Sequence, residues 1–264
     1  MMKKGGKYVY NEKNDLSNRN EDFFMKLQQL LSYVRKAIDD YDMIEENDKI
    51  AVGISGGKDS LALLYAMQGL QRFYPKKFEL CAITVDLGFQ NLNLDNIIEL
   101  CEKLNVEYKI VKTDIGKIIF DDRKEDNPCA LCSKMRKGAL NEAMKEMGCN
   151  KVAYAHHKDD VVKTMLLSLL YEGRFHTFSP VTYLDRMEVT VIRPLIYVDE
   201  ADVIGFVHKY ELPVVKSPCP ADGNTKREYA GVLLKQLNRE NKGVKARMFT
   251  AIKNSSIKGW NYLK

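Results

Sequence analysis

Ser55-Gly-Gly-Lys-Asp-Ser60 is the stretch of this 264-residue chain best suited to chemistry. It follows an apolar run at 49–54 and precedes another at 61–73, so it joins a short buried strand to a helix. A loop in that place aims backbone N–H groups and the positive helix end at one spot, where an anion binds well. Gly56 and Gly57 let the backbone approach a phosphate closely. The hydroxyls of Ser55 and Ser60 can bond phosphate oxygens, and Lys58 can add charge. Asp59 would repel a bare phosphate, so a carboxylate there calls for Mg²⁺ between the two. The spacing is neither a Walker A loop nor G-x-G-x-x-G, and the bland alternative is a glycine turn. Asp86 ends the next apolar run, where an adenosine would lie across the sheet; its bland role is a turn or cap.

Sulfur chemistry is the second theme. Cys129 and Cys132 stand one helical turn apart at the start of a helix, within Pro128-Cys-Ala-Leu-Cys-Ser-Lys-Met-Arg-Lys-Gly138. The helix end and the cations Lys134, Arg136 and Lys137 favour thiolates, the metal-binding form. Cys219, between Pro218 and Pro220, is held rigidly and can supply a third sulfur. A C-x-x-C alone also fits a redox pair, structural zinc or coincidence. Zinc would need a fourth ligand, from His156, His157, His176 or His208. Three cysteines equally leave one corner iron of a [4Fe-4S] cluster open. The other cysteines, Cys81, Cys101 and Cys149, sit in apolar or helical contexts and read as structural.

His156-His157-Lys158-Asp159-Asp160 follows an apolar strand and should face the same cleft as the glycine loop. Asp160 is the candidate there for Mg²⁺ binding or proton handling, against a bland role as a helix-start acid. Arg136 is a candidate to stabilise charge on a leaving phosphate, against a surface helix cation. Arg174 and Arg193 are candidate contacts to nucleic acid or phosphate.

Strands are expected at 49–54, 78–87, 107–112 and 151–155, with an edge strand at 187–192. Helices are expected at 21–44, 61–73, 94–104, 129–147, 159–171 and 199–210, the last capped by Asp199. That alternation predicts an α/β, Rossmann-like parallel sheet with helices on both faces. The expected divisions are a flexible lead (1–20), an amphipathic N-terminal helix (21–46), the main domain (47–215) and a third-cysteine loop with a basic helical tail (216–264). The tail carries eleven Lys/Arg against three Asp/Glu, although the whole chain is only +5. Such asymmetry suits a polyanion, and Lys226 and Arg227 lead the basic stretch. No apolar run reaches the roughly 18–20 residues of a membrane span, and the polar start lacks a secretory signal, so a cytoplasmic location is expected. Six cysteines in such a chain do not read as a disulfide framework.

The six-residue loop resembles the pyrophosphate loop of the N-type ATP pyrophosphatases, or PP-loop enzymes, which cleave ATP to AMP and pyrophosphate while adenylating a carbonyl oxygen. The later segments PCALCSKMRKGAL, AYAHHKDDVVKTMLLSLLYEGR, VIRPLIYVDEADVIGFV and SPCP extend the likeness over about 20–250. Together they resemble the tRNA 2-thiocytidine synthetase group. That resemblance implies a [4Fe-4S] cluster on Cys129, Cys132 and Cys219, with ATP and Mg²⁺. It implies adenylation of the C2 oxygen of cytidine 32 and displacement of AMP by sulfur. It also implies tRNA as partner, for which Arg174, Arg193, Lys226 and Arg227 are the candidate contacts, a sulfur donor (cysteine desulfurase or free sulfide), and a homodimer as one assembly. The segment VDLGFQN departs from the group's longer polar loop. Competing readings are a tRNA-uridine 2-thiolase, a zinc and persulfide PP-loop enzyme, a ligase of the lysidine-synthetase type, and a non-catalytic nucleotide-binding or redox-sensing module.

Overall fold

A computed structural model describes residues 25–90, 92–123, 128–220 and 226–260. The polar lead and positions 21–24 of the expected first helix lie outside the described residues. Six strands, β1 (Asp48–Gly53), β2 (Phe78–Asp86), β3 (Glu107–Lys112), β4 (Lys151–Ala153), β5 (Val181–Leu184) and β6 (Val189–Ile192), form one sheet in the order β3-β2-β1-β4-β6-β5. All neighbours run parallel except the β5–β6 hairpin. Helices α1 (Leu27–Asp40), α2 (Lys58–Gln71), α3 (Asp95–Lys103), α4 (Ile115–Lys117), α5 (Pro128–Glu146), α6 (Lys158–Leu167), α7 (Glu200–Lys209), α8 (Lys226–Glu240) and α9 (Val244–Lys253) surround it. Among the described residues no helix is long and apolar enough to cross a membrane.

Strand alternation builds two cores. Ile50 and Val52 of β1 and Leu80 and Ala82 of β2 face a core shared with α1, α2, α3, α6 and α7. Their neighbours Ala51, Cys81 and Ile83 face the other side, where Leu140, Ala143 and Met144 of α5 cover them. The chain lays down β1, β2 and β3 in one direction, then returns to place β4 on the far side of β1. The carboxyl ends of β1 and β4 therefore diverge into separate loops, leaving the crevice in which parallel sheets bind ligands.

Three expectations change. Residues 187–192 do not make an edge strand: β6 is interior and β5 is the edge. β5 is four residues long with Tyr183 exposed, too short to show a strand period. The stretch after β3, read as no element, forms α4 and a π-helical turn, Ile118–Asp122. Asp199 occupies the N-cap position of α7 without capping it through its side chain. Its carboxylate bonds Lys158 at 2.9 Å and Lys245 at 2.7 Å. Asp159 instead accepts the Glu200 N–H at 2.8 Å and pairs with Lys245 of α9 at 2.8 Å, fixing the basic tail to α6 and α7.

This charge lattice predicts an acid-sensitive step. Burial pushes the Glu200 carboxyl up, but Lys163 at 2.9 Å, with Lys58 and His157, outweighs it and brings the group from 4.5 down to about 2. A depressed carboxylate contributes stability that is complete above pH 4.5 and is lost as pH falls toward 2. The contribution is on the order of 3 kcal/mol at most. Unfolding in urea at pH 7 and pH 3 should show wild type losing more stability between the two than Glu200→Gln. Equal losses would remove Glu200 from the acid response.

Candidate active site

The glycine loop closes on itself through its serines. The Ser55 N–H donates to Ser60 Oγ at 3.2 Å, and Gly57 N–H to Ser55 Oγ at 3.3 Å. The Ser60 hydroxyl donates to the Gly57 carbonyl at 2.9 Å. Gly56 sits at φ 81°, in the left-handed region, and a Cβ there would stand 3.3 Å from Val215. Lys58 does not reach freely toward a phosphate: its Nζ lies 3.0 Å from Asp59 Oδ2 and 3.2 Å from Glu200 Oε1. Burial alone would lower its pKa, but those two carboxylates hold it above its usual value. Asp59 Oδ1 is left buried with no hydrogen-bond partner.

The carboxyl end of β4 brings the second motif alongside. His157 is buried, with Nε2 3.7 Å from Asp59 Oδ1 and 3.5 Å from Asp160 Oδ2. Asp160 Oδ2 also accepts the His157 N–H at 3.1 Å, starting α6. Asp160 Oδ1 faces the Arg227 guanidinium of α8 at 3.6 Å. His156 packs on Phe178 with ring centroids 4.7 Å apart. Burial, with the nearby Arg193 cation, brings its pKa down to about 4, so the ring is neutral at pH 7.

Two adjoining cavities open here. The larger, about 610 Å³, is lined by Ser55, Asp59 and Ser60, by Tyr154 and His156, by Asp160 and Arg227, and by the thiol-bearing residues Cys129, Cys132 and Cys219. The smaller, about 490 Å³, runs from Gly57 and Lys58 past Thr84, Val85 and Leu87 to Leu92. Ser55, Asp59, Arg136 and Cys219 line both. Burial raises the Cys132 pKa; Arg136 acts against it, and Cys219 and Cys129 raise it further, so the thiols sense one another.

Four of the expected residues stand elsewhere. Asp86 turns its carboxylate to the Gly88 N–H at 2.9 Å, and its neighbours Val85 and Leu87 line the smaller cavity. Arg193 is a correction: it is buried, bonds the Ser179 carbonyl and Thr182 Oγ1, and stacks 4.9 Å from the Phe178 ring centroid. A guanidinium committed in this way is structural and is not a surface contact for RNA. Arg174 is exposed and pairs with Glu172 at 2.7 Å. Lys226 lies over the Tyr171 ring at 4.6 Å. Cys101 is buried, and Cys81 and Cys149 are buried with sulfurs 3.2 Å apart.

The family model of the PP-loop domain matches residues 20–235. The chain belongs to the PP-loop family. A tRNA-cytidine(32) 2-sulfurtransferase of Geobacter sulfurreducens is 35% identical over 233 residues, 87% of this chain and 91% of that protein. Another, from Syntrophotalea carbinolica, is 39% identical over 200 residues, 75% of this chain and 76% of its own. Among solved structures, the U34-tRNA thiolase NcsA from Methanococcus maripaludis with its [4Fe-4S] cluster superposes with a TM-score of 0.68 at 26% identity, covering 86% of this chain and 78% of that one.

The residues of this PP-loop protein fit the groups its family uses. Asp59 Oδ1, buried without a partner, is what a carboxylate awaiting a cation looks like. The thiols of Cys129, Cys132 and Cys219 are free and share one cavity. Among the described residues no three His, Cys, Asp or Glu side chains converge closely enough for a single metal ion. The three thiols that line this cavity match the three protein thiolates of a [4Fe-4S] cluster with one open iron. Sequence reasoning missed Glu200 and Tyr154. Tyr154 follows β4, a carboxyl-edge position that could have singled it out. Nothing local separates Glu200 from an ordinary acid in the first turn of a helix.

Proposed function

We propose that the chain is an ATP-dependent tRNA sulfurtransferase. In this reading it adenylates the C2 oxygen of a tRNA base, cytidine 32, and replaces that oxygen with sulfur. One observation carries the proposal: the phosphate loop and the three thiols open into adjoining cavities that share Asp59, Arg136 and Cys219. Activation by ATP and sulfur delivery can then act on one bound base. The relatives named as cytidine-32 sulfurtransferases and the cluster-bearing thiolase support both halves.

The smaller cavity takes ATP, its apolar wall at Val85, Leu87 and Leu92 suiting the adenosine and the loop Ser55–Ser60 its phosphates. Asp59 would hold Mg²⁺ through its unpartnered oxygen, while Lys58, tied to Glu200, keeps the other oxygen occupied. The base, splayed from a single-stranded loop, enters the larger cavity beside Tyr154 and the neutral His156. Its C2 oxygen attacks the α-phosphate and pyrophosphate leaves, with Arg136 in both cavities placed to meet the developing charge. Sulfide then replaces the activated oxygen at C2, and AMP departs with it. A [4Fe-4S] cluster on Cys129, Cys132 and Cys219 would supply an open iron to carry that sulfide. The partners are tRNA and a sulfur donor, cysteine desulfurase or free sulfide, in the cytoplasm.

The test is a reaction of oxygen-free purified protein with ATP, Mg²⁺, sulfide, free lysine and unmodified tRNA. Pyrophosphate release and 2-thiocytidine at position 32, read by mass spectrometry of the digested RNA, are expected. A thiolated uridine would move the substrate to the uridine class. Pyrophosphate release with an amine joined to cytidine would replace the reading with a ligase.

A further inference from the structure

Exposed apolar side chains scattered singly need no explanation, whereas a cluster does. Six of the eleven large ones exposed among the described residues fall in two segments: Leu169, Leu170, Tyr171 and Phe175 after α6, and Tyr229 and Val232 on α8. The segments adjoin, because α8 packs along α6 and the Lys226 ammonium lies 4.6 Å from the Tyr171 ring centroid. Tyr229 stands one helical turn beyond Lys226. The end of α6 passes into a π-helical turn, Ser168–Glu172, stopped by Gly173 at φ 63°. Such turns frequently mark functional positions. Phe175, just past that glycine, is 76% exposed.

We propose that this face is a stacking platform for unpaired RNA bases, with the Tyr171 and Tyr229 rings taking the bases and Lys226 the backbone between them. It deepens the tRNA reading and rests on it. Two features select RNA as the occupant. Arg227, next to Lys226, lines the cavity that holds the three thiols, so a base lodged there continues by its sugar–phosphate chain over the start of α8. Cations stand beside the rings: Lys226 over Tyr171 and Arg227 next to it, both in a tail of eleven Lys/Arg against three Asp/Glu, and Arg174, paired with Glu172, next to Phe175. Exposed tyrosines beside such cations suit bases of any identity, since each has a π-face. A second copy of the chain seated here about a two-fold axis would bring the same cations from both sides.

The experiment compares the full-length wild type with two double variants, Tyr171→Leu with Tyr229→Leu and Tyr171→Phe with Tyr229→Phe. Leucine keeps an apolar contact and loses the ring; phenylalanine keeps the ring. The probes are a fluorescein-labelled RNA hairpin with a loop of about seven unpaired bases, as in an anticodon arm, and a fully paired duplex of equal charge. Fluorescence anisotropy at fixed salt should show the leucine pair binding the hairpin roughly tenfold or more weakly, with the phenylalanine pair within about twofold of wild type. Duplex affinity and the mass by light scattering should not move. Unchanged hairpin affinity in the leucine pair would overturn the platform, and a changed mass would overturn it in favour of a contact between copies. Wild type that binds neither RNA would instead bring down the tRNA reading itself.

Discussion

Cys219→Ala is expected to leave pyrophosphate release largely in place and to reduce sulfur incorporation by on the order of ten-thousandfold or more, the scale seen when one member of a jointly acting set is removed. Cys219 comes from a loop ninety residues beyond Cys129, yet it lines both cavities and joins Cys129 and Cys132 in the larger one. Its position is set by Pro218 and Pro220 and by its own N–H, which donates to Ser217 Oγ at 3.3 Å. Alanine fits that backbone, so the fold should survive and only the thiol is lost. Anaerobic protein should carry about four irons and four sulfides per chain with its visible absorption, and the variant should lose them. A variant that keeps full iron and full thiolation would exclude Cys219 as a ligand. One zinc and no iron in wild type would move the chemistry to persulfide on the same ATP-cleaving fold.

Asp59→Asn should strike the other half of the reaction. Asparagine keeps the shape and removes the charge that holds Mg²⁺ against the phosphates. The loss in kcat/KM for pyrophosphate release should reach roughly 10²–10³, the scale of removing one preorganised electrostatic contact in the transition state. Lys58 would keep Glu200 at 3.2 Å as a partner, so thermal unfolding should move little. The variant should demand more Mg²⁺ for half-maximal rate while its iron content stays at the wild-type level. A rate unchanged at saturating ATP, with only KM raised, would demote Asp59 from metal binding to uniform substrate binding. Measured side by side, the two variants separate activation from sulfur delivery: thiolation should fall in both, pyrophosphate release should survive only in Cys219→Ala, and iron content should survive only in Asp59→Asn.

Much of this architecture was legible because the signals are local. The apolar run before Ser55 and the one after Ser60 force a strand, a loop and a helix in that order, and β1, Gly56 at φ 81° and α2 follow. The same holds for β4, His157 and α6, and for Cys129 and Cys132 one turn apart in α5. The tail divides at Gly243, which takes a left-handed conformation between α8 and α9. β5 was not readable, because four residues with one exposed ring carry no period.

The residue types at the site, and the elements that carry them, were thus written in the sequence by itself. Which of those residues meet was decided only by the tertiary structure. The strand order places β4 beside β1 and so opens the crevice between Asp59 and Asp160, a choice that no stretch of sequence encodes locally. The same packing buried Arg193 against Phe178 instead of leaving it for RNA. It also tied Lys58 to Glu200, 142 positions away, rather than freeing it for phosphate. A cation's role depends on the desolvation and the carboxylates it meets after folding, and those come from segments far apart in the chain.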